Sequence, residues 1–177
     1  MSNTGKQLDS QQLYEHQKQK IAQGLIKTAP AILIAGLTKS ENIGAVYRLA
    51  DAAGCNTIYL LEENDKSLDT KIIKKVSRNT LESIQTTRLN LEQLKIWYRK
   101  WPPMIAIEIT SKSTSILHTQ LPRNCVLVIG NEKYGVAEDV LNMCNQAVHV
   151  PMYGLNGSMN ASHALAIVLY EWRRQYL

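Results

Sequence analysis

The run Ala31-Ile-Leu-Ile-Ala35, followed by Gly36-Leu-Thr-Lys-Ser-Glu-Asn-Ile-Gly-Ala-Val-Tyr-Arg48 and closed at Gly54, decides the fold. Five apolar residues without alternation are of strand length and read as a strand buried on both faces. From Asn42 the period changes. Ile43, Val46, Leu49, Ala50 and Ala53 recur at helical spacing, and Gly54 stands where a left-handed cap ends a helix. Strand, polar loop and helix in that order are the opening unit of an α/β domain.

A helix precedes this unit, and the alternation continues after it. Upstream, residues 13–26 read as a short, polar helix with a thin apolar stripe, ended at Ala29-Pro30 because a residue before proline avoids the helical region. Downstream come a strand at 57–61, a helix at 69–76 with Ile72, Ile73 and Val76 on its apolar side, and a short strand at 83–87. Leu91, Leu94, Trp97 and Tyr98 form a helical stripe stopped by Pro102-Pro103. Strands at 104–109, 126–129 and 147–150 then alternate with a helix at 136–143 and a closing helix at 159–174. Strands that are apolar runs, separated by helices, predict a mostly parallel sheet with helices on both faces. Residues 1–28 form a short N-terminal helical extension, and 29–177 the α/β domain.

Composition sets the outer bounds. With 177 residues, 45% hydrophobic and 20% charged, the chain has room for one domain and no disordered bias. Its net charge of +5 is compatible with mere solubility. The excess is uneven: nine of the 20 basic residues lie between Lys66 and Lys100, against three acidic ones. Cys55, Cys125 and Cys144 are odd in number and far apart, which fits reduced thiols rather than a disulfide framework. None pairs with a histidine at ligand spacing, so no metal site is expected. No signal-like segment or apolar run of about eighteen residues occurs, and the expected setting is the cytoplasm, away from any membrane.

In parallel sheets, ligands collect in the loops beyond the carboxyl ends of the strands. Three such loops are polar beyond the needs of packing. In the first, Asn42 and Arg48 are six positions apart, about 240° around one continuous helix, and converge only if Asn42 sits at the helix start as its N-cap. A cap plus a surface arginine accounts for the pair equally well. The second is Gly130-Asn-Glu-Lys-Tyr-Gly135, directly after Val126-Leu-Val-Ile129. It lacks a phosphate-loop pattern, which disfavours a nucleotide held by its phosphates; a simple turn into a helix started by the glutamate is the structural alternative. The third runs Val148-His-Val-Pro-Met-Tyr-Gly-Leu-Asn-Gly-Ser-Met-Asn160, with Ser158 a natural N-cap for the last helix.

Taken together, Asn42-Ile-Gly44 with Arg48, Ile129-Gly-Asn-Glu132 with Gly135, and Val150-Pro-Met152 with Ser158-Met-Asn160 resemble the three motifs of the SpoU (TrmH-like) RNA 2′-O-ribose methyltransferases. The likeness covers roughly the 145 residues from Ala31 to the C-terminus. Departures are small: Ser-Met-Asn replaces the common Ser-Leu-Asn, and Val150 stands where isoleucine is usual. The resemblance implies a SPOUT fold with a C-terminal trefoil knot, which periodicity alone does not suggest. It implies S-adenosylmethionine (AdoMet) as cofactor, contacted by Ile107, Glu108, Gly130, Asn131, Val150, Met152, Ser158 and Met159, and a homodimer whose chains share each active site. Asn42, Arg48, Glu132, Ser158 and Asn160 become the expected catalytic group.

The chemistry implied is transfer of a methyl group to a ribose 2′-hydroxyl, which requires in-line alignment and a more nucleophilic hydroxyl. In the family, the position matching Arg48 is assigned to activating that hydroxyl. A guanidinium is effectively always protonated, so an electrostatic hold on a phosphate or the developing alkoxide is the favoured reading here. The RNA substrate is expected to be tRNA ahead of rRNA, because only about 28 residues precede the domain. Arg48, Lys71, Lys74, Lys75, Arg78 and Arg88 are the expected RNA contacts. His163 is read as packed within the closing helix rather than as a substrate contact. Competing readings are a non-catalytic RNA-binding member of the fold and an unrelated nucleotide-dependent enzyme.

Overall fold

The computed structural model describes residues 7–23, 29–61, 69–78 and 80–176. Seven strands, β1 (Ala31–Ala35), β2 (Thr57–Leu61), β3 (Gln85–Leu89), β4 (Met104–Ile107), β5 (Thr114–Ser115), β6 (Val126–Ile129) and β7 (Gln146–His149), form one sheet. Their order is β3-β2-β1-β6-β4-β7-β5, and every strand pairing is parallel. The register at the centre sets Ile32 between Ile58 and Leu127.

The opening pentapeptide is apolar throughout because both of its faces are covered. Ile32 and Ile34 join the core layer that contains Val46 of α2 (Ser40–Ala53) and Leu165 and Trp172 of α6 (Ala161–Tyr176). Leu33 and Ala35 join the opposite layer, with Leu94 of α4 (Leu91–Trp97) and Val140 of α5 (Glu138–Leu141). Successive side chains of a strand point to opposite faces, so burying both requires an unbroken apolar run. Helix α3 (Thr70–Ser77) packs closely on α2: a Cβ on Gly44 would lie 2.7 Å from Val76 Cβ. At the far end of α2, the Arg173 guanidinium donates to the Ala53 carbonyl, a cation placed at the negative end of a helix.

Several boundaries differ from the sequence expectation, each for a local reason. Helix α1 runs Ser10–Ala22, starting before residue 13 because Asp9 and Gln12 form a capping box; it buries no side chain. The rest of the expected 13–26 helix, beyond Gln23, lies outside the described residues. Strand β3 starts at Gln85 rather than 83, since Ser83 Oγ is engaged with Thr80 O and Asp51 in a turn. Strand β4 stops at Ile107, where the Glu108 carboxylate accepts from the Ile109 N–H. The expected 136–143 helix shrinks to four residues because Val136 N–H is drawn to Glu108 Oε2 at 2.9 Å. Strand β7 is displaced by one residue. Strand β5, only two residues long, and the 3-10 turn Ile116–His118 carry too little periodicity to be read in advance.

Candidate active site

A cleft of about 180 Å³ opens beyond the carboxyl ends of β4, β6 and β7, beside the start of α6. All eight residues expected to contact the cofactor line it: Ile107, Glu108, Gly130, Asn131, Val150, Met152, Ser158 and Met159. Glu132 and Gly135 of the second motif also line it, together with Ile109, Lys133, His149, Ala161 and Ala164, which sequence reasoning did not single out. For His149 the available signal was its place directly before Val150-Pro-Met152. A larger, shallower depression of about 430 Å³ between α4 and α5, lined by Lys95, Tyr98 and Arg99 among others, contains none of the expected residues.

The three motif segments are joined by a chain of side-chain hydrogen bonds. Asn160 Nδ2 donates to Asn42 Oδ1 at 3.0 Å, and Asn42 Nδ2 donates to Glu132 Oε1 at 2.8 Å. Asn160 Oδ1 in turn accepts from Ser162 N and Oγ at 2.8 and 2.7 Å. Residues 118 and 90 positions apart are thereby fixed to one another. Helix α2 begins at Ser40, with Lys39 at the N-cap position and no side-chain cap of its own. The expected cap, Asn42, lies inside the helix and is buried. Glu132 supplies the missing acceptor, taking hydrogen bonds from the backbone N–H groups of Thr38 and Lys39 and from Thr38 Oγ1. A carboxylate at a helix start satisfies orphan donors and meets the positive end of the dipole. Desolvation pushes the Glu132 carboxyl up, but hydrogen bonds from Asn42, Thr38 and Lys39 outweigh it and hold the group at about 2. The expected alternative, a glutamate starting a following helix, is therefore replaced by one that starts a helix 90 residues earlier.

The walls of the cleft are fixed by backbone contacts. Asn131 Nδ2 donates to Gly36 O, while its Oδ1 accepts from Lys133 N and Tyr134 N. Asn131 and Gly135 also exchange two backbone hydrogen bonds of 2.8 and 3.0 Å, closing the loop into a narrow hairpin. Gly135 has φ +69°, and a Cβ there would stand 2.2 Å from Glu108 Oε2. A Cβ on Gly130 would meet the Gly135 backbone at the same distance. The two glycines and Glu108 thus act as one unit.

Other expected residues fall elsewhere. Ser158 is exposed and is not the N-cap of α6; Asn160, directly before Ala161, holds that position through Ser162 N. Arg48 is exposed on α2, away from buried Asn42, and lines no part of the cleft. The two do not converge, because the helix is continuous from Ser40. Lys71, Lys74, Lys75 and Arg78 are exposed along and just after α3, with Arg88 exposed on the outer strand β3. His163 is exposed, not packed: it lies on the outward side of α6 while Leu165, Val168, Leu169 and Trp172 face the core. Burial pushes the thiols of Cys55, Cys125 and Cys144 up to about 12, and all three are free.

The same fold recurs in known proteins. Residues 29–170 match the model of the SpoU rRNA Methylase family. The chain is 32% identical over 157 residues to the 23S rRNA (guanosine-2′-O-)-methyltransferase RlmB of Haemophilus ducreyi, covering 85% of this chain and 62% of that one. It is 26% identical over 147 residues to the tRNA (guanosine(18)-2′-O)-methyltransferase of Aquifex aeolicus, covering 81% and 69%. The AdoMet-bound rRNA methyltransferase structure from Sinorhizobium meliloti superimposes with a TM-score of 0.76 at 24% identity, over 84% of this chain and 57% of that one. The TrmH/SpoU tRNA modifying enzyme of A. aeolicus gives 0.75 at 23% identity, over 92% and 84%. The chain spans about three-fifths of the length of the RlmB relatives it matches. It belongs to the SpoU rRNA Methylase family, and its mostly parallel α/β sheet is the sheet of the SPOUT methyltransferases.

Proposed function

We propose that this protein is an AdoMet-dependent RNA methyltransferase acting on a ribose 2′-hydroxyl, with residues 29–177 as the catalytic unit. The observation that carries the reading is the Glu132–Asn42–Asn160 relay, which locks three distant motif segments beside a cleft lined by every residue expected to hold the cofactor. The cleft suits a nucleoside with an amino-acid arm: Ile107, Val150 and Met152 offer an apolar slot, and the loops carrying Gly130 and Ser158 offer backbone polar groups. When bound there, AdoMet supplies an activated methyl group on a sulfonium.

The chain's own residues then have distinct parts. Glu132, ionised across the working pH range, positions Asn42 and the start of α2 rather than removing a proton. Asn42 and Asn160 orient one another beside the cleft. Arg48 provides a fixed positive charge for a phosphate or the developing alkoxide. The place of Arg48 outside its own chain's cleft supports a homodimer in which a second copy completes the site. A C-terminal trefoil knot goes with the same reading. An anionic RNA partner suits the cations of α3, Lys71, Lys74, Lys75 and Arg78, together with Arg88. The reaction belongs in the cytoplasm, where RNA and AdoMet meet; no helix among the described residues is long and apolar enough to cross a membrane.

Between substrates, tRNA is the working choice; relatives of both kinds match, the tRNA-modifying one at 26% identity and two rRNA-modifying ones at 28% and 32%. Incubation with methyl-labelled AdoMet and separated tRNA and rRNA tests the choice: label is expected in tRNA, and label confined to rRNA overturns it.

A further inference from the structure

Beside the proposed cofactor cleft, the hairpin 131–135 presents an aromatic ring left largely uncovered. Tyr134 is 77% exposed, yet the backbone beneath it is firmly held. Its N–H is bound by Asn131 Oδ1 at 3.1 Å, and the loop is closed on both sides by the Asn131–Gly135 backbone pair. The neighbouring Lys133 lines the cleft, and its ammonium lies 5.0 Å from the Tyr134 ring centroid. The same hairpin carries Glu132, so the ring's position is tied to the relay through the chain itself. A large side chain left in water on a rigid support keeps its burial energy for a partner, and a tyrosine loses little entropy on being covered. A cation beside the ring adds attraction for an anion that arrives with the ring's partner.

We propose that Tyr134 is a stacking platform for a base of the RNA substrate, with Lys133 holding an adjacent phosphate. The inference rests on the RNA-methyltransferase reading and adds an RNA contact beside the same site. Aromatic rings accept unstacked bases because every base has a π-face, and the contact tolerates changes of sequence. A protein partner is the less favoured occupant, since a lone ring paired with a lysine matches a nucleotide's base and phosphate rather than an apolar interface core.

The test is fluorescence anisotropy with a labelled, mixed-sequence single-stranded oligoribonucleotide and the full chain, comparing wild type, Tyr134→Ala and Tyr134→Phe, with AdoMet affinity measured by calorimetry in parallel. Stacking predicts that Tyr134→Ala weakens RNA binding about tenfold and that Tyr134→Phe stays within about twofold of wild type. AdoMet affinity should be unchanged in both variants. Wild-type RNA affinity in Tyr134→Ala would overturn the inference alone, as would a shift of that variant from dimer to monomer in sedimentation, which would assign the ring to the contact between copies. A wild-type protein that binds neither AdoMet nor RNA would instead remove the functional reading beneath it.

Discussion

Glu132 illustrates how a residue can be recognised from sequence and still be misjudged in role. Its place in Gly130-Asn-Glu132 marked it, but only the structure shows that its carboxylate serves the start of a helix 90 residues away. The linkage to stability has a definite sign. Its folded value of about 2 lies below the ordinary 4.5, so its contribution is complete above about pH 4.5 and is lost as pH falls toward 2. In acid-unfolding curves, Glu132→Gln should therefore flatten the stability change in that window. Glu171, held at about 2 chiefly by its hydrogen bond from Arg174, keeps a residual slope in both proteins. Equal slopes for Glu132→Gln and wild type would contradict the capping role. Arg48 is the opposite case, an exposed residue of α2. Arg48→Ala should keep the wild-type melting temperature and AdoMet affinity while losing RNA methylation, and wild-type turnover in that variant would sink its assignment.

Among elements, the central strands were legible because burial on two faces leaves an unmistakable apolar run: β1, β2 and β6 occupy the positions expected for them. Element ends were less so, since they are set by individual side-chain hydrogen bonds. Glu108 ends β4 and delays α5, and Asn160 displaces Ser158 as the cap of α6; neither effect leaves a trace in local periodicity. Gly44 is a further example. It stands in a motif, yet its requirement is the contact between α2 and α3, where a Cβ would also lie 3.1 Å from the Ile73 carbonyl. Gly44→Ala should destabilise by up to about 2 kcal/mol in urea denaturation, the overpacking cost of about 1–3 kcal/mol offset in part by a helix-propensity gain of about 1 kcal/mol. A stabilised Gly44→Ala protein would show that the two helices separate freely.

For the whole molecule, the charge excess between Lys66 and Lys100 is ambiguous by itself and acquires meaning from topology. The cations of α3 are exposed on a helix packed against α2, the helix that also carries Asn42 and Arg48. Replacing Lys74 and Lys75 together by glutamate should weaken RNA binding and reduce its salt dependence while leaving AdoMet affinity alone. Unchanged binding across a salt titration would place the RNA elsewhere. A dimer and a knot are expected only through resemblance, because threading and the sharing of a site between chains have no local sequence signature. The most direct test of the central claim is nucleoside analysis of RNA after incubation with the protein and methyl-labelled AdoMet. The account predicts the label in a 2′-O-methylated ribonucleoside, with none from reactions lacking the protein. Label on a base, or no transfer by a protein that binds AdoMet, would contradict it.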